Sequence, residues 1–110
     1  MLSSAAREAI ADGANEVYFS VVSGWEIAIK YAIGRLRLKL SPKRFLMEQL
    51  SKTGFTVLDI RLDHALEVSE LPHIHSDPFD RLLMAQCRCD GFTLISCDRM
   101  ISRYVLNRIW

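Results

Sequence analysis

The chain lacks a cysteine framework. Its 110 residues hold three cysteines, Cys87, Cys89 and Cys97, an odd number with no disulfide pattern around them. Cys87-Arg88-Cys89 is C-x-C rather than C-x-x-C, and no second pair completes a zinc site. The thiols therefore read as free, buried side chains in a reducing compartment. Also lacking is any apolar run approaching the ~20 residues that span a bilayer. The opening MLSSAAREAIADG has no basic-then-apolar layout, which argues against a secretory leader. The expected location is the cytoplasm. Charge of one sign is scarce in excess: 14 Lys and Arg against 13 Asp and Glu leave +1. Nucleic-acid binding would therefore need a local basic patch. No internal repeat or low-complexity linker divides the chain, so a single domain over residues 1–110 is expected.

What is present is the mix of an ordinary globular domain, 50% hydrophobic and 25% charged, long enough to bury its own core. Ser3-Ser4, AAREAIAD and Gly13 read as a short capped helix. Val17 to Val22 is β-branched and aromatic, a buried strand. Ser23-Gly24-Trp25-Glu26 has capping-box spacing and opens a helix that Gly34 closes. Arg35 to Leu40 alternates basic and apolar residues as an exposed arm, and Ser41-Pro42 opens a helix running to about Lys52. Phe55 to Leu58 is a second strand, and Asp63 is expected to cap a helix reaching Glu70. Asp77-Pro78 starts another helix, which Gly91 ends; Phe92 to Ser96 is a third strand, and Val105 to Trp110 a last edge strand. Strands separated by helices imply a parallel sheet in an α/β fold.

Three carboxylates then take on interest. In open α/β sheets the working groups gather beyond the carboxyl ends of the strands. Glu26 follows the first strand and Asp98 follows the third; Asp80 opens the helix that leads into the third strand. All three are expected on one edge. Convergent carboxylates without Cys or His suit a hard cation, Mg²⁺ or Mn²⁺. Each acid also has an ordinary explanation. Glu26 would serve the capping box, Asp80 would favour the helix dipole behind the Asp77 cap, and Asp98 would be a turn residue before Arg99. Only their joint placement points to chemistry.

Other features have two readings. His73 and His75 are either surface residues or an added ligand pair. Trp25, Ile29 and Ile33 form an i, i+4, i+8 stripe of core or interface packing. Arg35, Arg37 and Lys39, followed by Lys43 and Arg44, are the concentrated basic run, either a phosphate contact or a solvated face.

HSDPFDRLLMAQC, GFTLISCDRMISRY and the terminal RIW resemble the C-terminal half of PIN-domain ribonucleases, and more narrowly the VapC-type toxins of toxin–antitoxin pairs. VYFSVVSGWEIAIKYAIGRLRL resembles the second strand and following helix of that family. The resemblance implies a three-layer α/β/α sandwich on a parallel sheet and metal-dependent endonucleolytic cleavage of RNA. It implies Glu26, Asp80 and Asp98 as catalytic and metal-holding carboxylates for Mg²⁺ or Mn²⁺, with Ser96 supporting. Arg35, Arg37 and Lys39 would contact RNA, and the implied partners are RNA and a cognate antitoxin. The family's first central strand, ending in an aspartate in a sequence like LLDTH, has no counterpart here. The expectation is thus a chain truncated at its N-terminus, weakened or inactive, and closing the gap by rearranged pairing or as a homo-oligomer. The alternative is a non-catalytic PIN-like module that pairs with an antitoxin or with itself.

Overall fold

Ser20 ends a strand and begins a helix at once. Its backbone is extended, and its hydroxyl accepts from the Val22 N–H at 3.1 Å. The computed structural model describes residues 8, 10–13, 15–72, 76–95 and 108–109. Strand β1 is therefore Tyr18–Ser20, and helix α1 is Val21–Ala32. The sequence had placed Val21 and Val22 in the strand and Ser23 at the cap. Ser20 takes the cap instead, and Val22 is fully buried on the helix. Packing outweighs the strand preference of two β-branched residues. Glu26 consequently stands beyond the first turn, and its carboxylate pairs with Lys30 one turn on, at 2.6 Å.

Helix α1 closes where Gly34 adopts φ 80. The Gly34 N–H donates to the Tyr31 carbonyl and the Arg35 N–H to that of Lys30, the paired bonds of a Schellman ending. Helix α2, Pro42–Thr53, starts on the Ser41 side chain with proline in its first turn and stops at Gly54 in the left-handed region. Strand β2, Thr56–Leu58, pairs in parallel with β1, Tyr18 opposite Thr56 and Ser20 opposite Leu58. A Cβ on Gly24 would lie 3.5 Å from both Leu46 and Phe19, an ordinary contact distance, so α1 packs against α2 and β1 here with room for a methyl group. These elements form one compact unit, Glu16–Asp59.

The second unit comprises Ile60–Trp110 with Met1–Asn15. Helix α3, Leu62–Glu67, runs into a 3₁₀ turn, Val68–Glu70. Helix α4, Pro78–Asp90, is followed by β3, Leu94–Ile95, which pairs in parallel with β4, Arg108–Ile109. Leu71, Met84 and Ala85 form its core, with Val68, Cys87 and Leu94 packed against them. The buried Arg81 guanidinium donates to the Val68 and Pro72 carbonyls at 2.9 and 3.1 Å, tying α4 to the turn before it.

The α/β character and parallel pairing follow the expectation from sequence. The described strands form two two-stranded sheets, β1 with β2 and β3 with β4. Trp25 and Ile33, read as packing residues, are 52% and 61% exposed. Cys87 is half-buried and free, but Cys89 is exposed rather than buried, because it follows Cys87 by two residues on a helix and so faces away. No helix among the described residues is long and apolar enough to cross a membrane.

Candidate active site

Helix α4 carries the stretch that drew attention in the sequence. Asp77 is its cap: one carboxylate oxygen accepts from the Phe79 N–H at 2.9 Å and from the Asp80 N–H at 3.0 Å. Pro78 occupies the first helical position, where no amide is needed. The helix start is thus satisfied by Asp77. Asp80, half-buried in the first turn, is not required for the cap. Its charge suits the helix N-terminus all the same.

Glu26 lies in the unit Glu16–Asp59 and Asp80 in the other. Asp98 and Ser96 lie outside the described residues, as do His73 and His75. The two expected carboxylates that are described, Glu26 and Asp80, thus belong to different units. Arg35, Arg37 and Lys39 are all exposed, on the segment joining α1 to α2.

A different cluster does assemble, at the far end of α4. Ligand-type atoms of Asp63, His64 and Asp90 lie within 4.8 Å of one another. Ten residues separate Asp80 from Asp90, which at about 1.5 Å per residue is roughly 15 Å along the helix. His64 is fully buried. Its Nδ1 accepts from the Arg61 N–H at 3.0 Å, which leaves the proton on Nε2 to be donated to Asp90 Oδ2 at 3.0 Å. Gln86 also reaches Nδ1, at 3.4 Å. The Arg61 guanidinium donates to both carboxylates, to Asp63 at 2.9 and 3.0 Å and to Asp90 through both terminal nitrogens.

The electrostatics follow from that geometry. Hydrogen bonds from Arg61, then from His64, hold the Asp90 carboxyl below the usual carboxylate range. Arg61 likewise lowers Asp63, and its own guanidinium is pushed up by Asp90 and Asp63. Burial raises the Cys87 thiol to about 11, so it stays protonated at neutral pH. With an arginine already seated on both carboxylates and both imidazole nitrogens engaged, the Asp63–His64–Asp90 group is a structural pin. It joins the start of α3 to the end of α4. The sequence had assigned Asp63 as the cap of α3. Arg61 occupies that position, and Asp63 stands inside the first turn. No short-range pattern could reveal a pairing between residues 26 positions apart.

A family model for the PIN domain matches residues 2–106. The chain belongs to the PIN domain family. Comparison with curated proteins and with solved structures returned no match. PIN domains are nucleases in general, act on RNA and typically depend on a divalent metal ion. An oxygen-only set of donors suits such an ion. The Arg61-saturated cluster at the other end of α4 does not.

Proposed function

We propose that this PIN domain is a metal-dependent endoribonuclease, the toxin of a toxin–antitoxin pair. In this reading Glu26, Asp80 and Asp98 hold Mg²⁺ or Mn²⁺ on one edge of a three-layer α/β/α sandwich, with Ser96 supporting them. The observation that supports it is the half-buried carboxylate of Asp80 in the first turn of α4, a turn whose cap is supplied by Asp77. A bound divalent ion would acidify a water and offset charge on the scissile phosphate. Asp80 would fix the ion at the helix start, and Glu26 would take the proton from the attacking water.

The test is RNA cleavage with Mn²⁺ by the wild-type chain and by Asp80→Asn. Cleavage should fall at least about 100-fold, the scale of losing a positioned electrostatic group. Equal cleavage by both proteins would sink the assignment of Asp80.

A second reading, a non-catalytic module that binds an antitoxin or another copy of itself, is favoured by the sheets. Among the described residues each strand pairs with one neighbour, and a strand paired on one side can accept a partner strand on the other. This reading predicts no stabilisation by Mn²⁺. A working metal site would stabilise the fold by mass action, by about 2.7 kcal/mol at 100 times Kd, and so raise the melting temperature.

A further inference from the structure

The net charge of +1 conceals a segregation. Residues 27–47 contain six cations, Lys30, Arg35, Arg37, Lys39, Lys43 and Arg44, and no acid. The other eight Lys and Arg face all 13 Asp and Glu, so the rest of the chain carries −5. Lys30 is held by Glu26. The remaining five are exposed, and none is in an ion pair among the described residues.

Their arrangement is ordered. From Arg35 to Leu40, exposed cations alternate with half-buried leucines, so Leu36, Leu38 and Leu40 turn inward while Arg35, Arg37 and Lys39 face solvent. Lys43 and Arg44 stand in the first turn of α2, which holds no acidic residue. Cations there oppose the helix dipole and stabilise nothing local. Helix α4, by contrast, opens with Asp77 and Asp80. Placement that works against the helix is explained if the charges are there for an external polyanion.

We propose that Arg35, Arg37, Lys39, Lys43 and Arg44 form a surface that binds the phosphate backbone of RNA without reading its sequence, an inference that rests on the endoribonuclease reading. No aromatic residue lies among residues 35–44 to stack on a base, so contact is with phosphates. The outward side of residues 35–40 offers no apolar anchor, because the leucines are turned in. Protein interfaces centre on such anchors, and an RNA backbone needs none. Two arginines in the run add bidentate phosphate geometry.

The test is anisotropy of labelled polyuridine with the full chain in EDTA, which silences cleavage. For single strands each phosphate contact contributes about 0.7 to the logarithmic salt slope. Five contacts should weaken binding about 100-fold between 50 and 200 mM salt, and the triple variant Arg35→Gln/Arg37→Gln/Lys39→Gln should weaken only about 7-fold over the same range. Lys52→Gln, outside the run, should leave the slope unchanged. Should the triple variant unfold, Arg37→Gln and Lys39→Gln singly, each removing about 0.7 from the slope, decide the matter. An unchanged slope would overturn the proposal. So would polyglutamate binding as tightly as polyuridine and lost in the same variants, which would assign the surface to an acidic protein. RNA binding that depends on these residues, without metal-dependent cleavage, would refute the nuclease reading and leave this surface standing. Cleavage with binding unaltered by the substitutions would do the reverse.

Discussion

Asp90→Ala should cost this domain much of its stability without touching the end of α4 where catalysis is proposed. The substitution removes the acceptor for the Nε2–H of His64, a side chain with no exposure, and removes the anion shared by Arg61 and His64. A buried donor left without a partner costs about 1–3 kcal/mol. The Arg61 side chain is 49% exposed, so its ion pair with Asp90 adds little in water. At roughly 4–8 °C per kcal/mol for a domain near this size, the melting temperature should drop by about 4–24 °C. Asp90→Asn keeps an oxygen for His64 and should drop less.

The acid side supplies a second arm. The folded-state pKa of Asp90 is depressed, so its contribution is complete above the unfolded value of about 3.9 and is lost as pH falls through the lower folded value. The gap between wild type and Asp90→Ala should therefore be widest near neutral pH and narrow below about pH 3.9. Thermal melts by circular dichroism from pH 7 downward measure both arms. A melting temperature for Asp90→Ala within about 2 °C of wild type at pH 7, on a scale of 4–8 °C per kcal/mol, would refute the pinning role of the network.

Two further outcomes concern helix α4. Asp77→Ala removes the acceptor for two backbone amides and should cost about 1 kcal/mol in urea unfolding, with cleavage per folded molecule unchanged; lost cleavage at full stability would show that the cap and metal roles had been assigned to the wrong aspartates. Gly91→Ala places an L-residue at φ 72 and should cost about 1–2 kcal/mol from backbone strain alone, since a Cβ there meets no atom within 4 Å. Gly91→Asn, better tolerated in that conformation, should cost less in the same assay.

Much of the local structure was legible because its causes are local. Ser41-Pro42, Asp77-Pro78, Gly34, Gly54 and Gly91 mark helix ends through bonds and dihedrals within four residues, and all act as read. Ser23 was read as the cap of α1, and Ser20 serves instead. The choice between them depended on where Val22 could be buried, which only the folded packing decides. Asp63 was misread for a similar reason: Arg61 caps α3, its N–H held by the His64 ring and its fork by Asp63 and the distant Asp90. The Asp77 cap and the place of Asp80 in the first turn were visible in DPFDR. The His64–Asp90 pair was not, because it joins residues on two different helices. Asp98 and Ser96 lie outside the described residues.

Helix α4 is long enough to keep two jobs apart. Asp80 near its head and Asp90 at its tail are separated by about three helical turns, with the buried Met84, Ala85 and Gln86 between them. Substitutions more than about 7–10 Å apart that share no partner combine additively. Mutational drift at the tail can therefore tune how firmly the helix is held without interfering with selection at the head. A lineage that lost cleavage through Asp80 would keep a domain still fastened by Arg61, His64 and Asp90. On the proposed reading, catalysis and persistence of the fold would evolve on separate schedules.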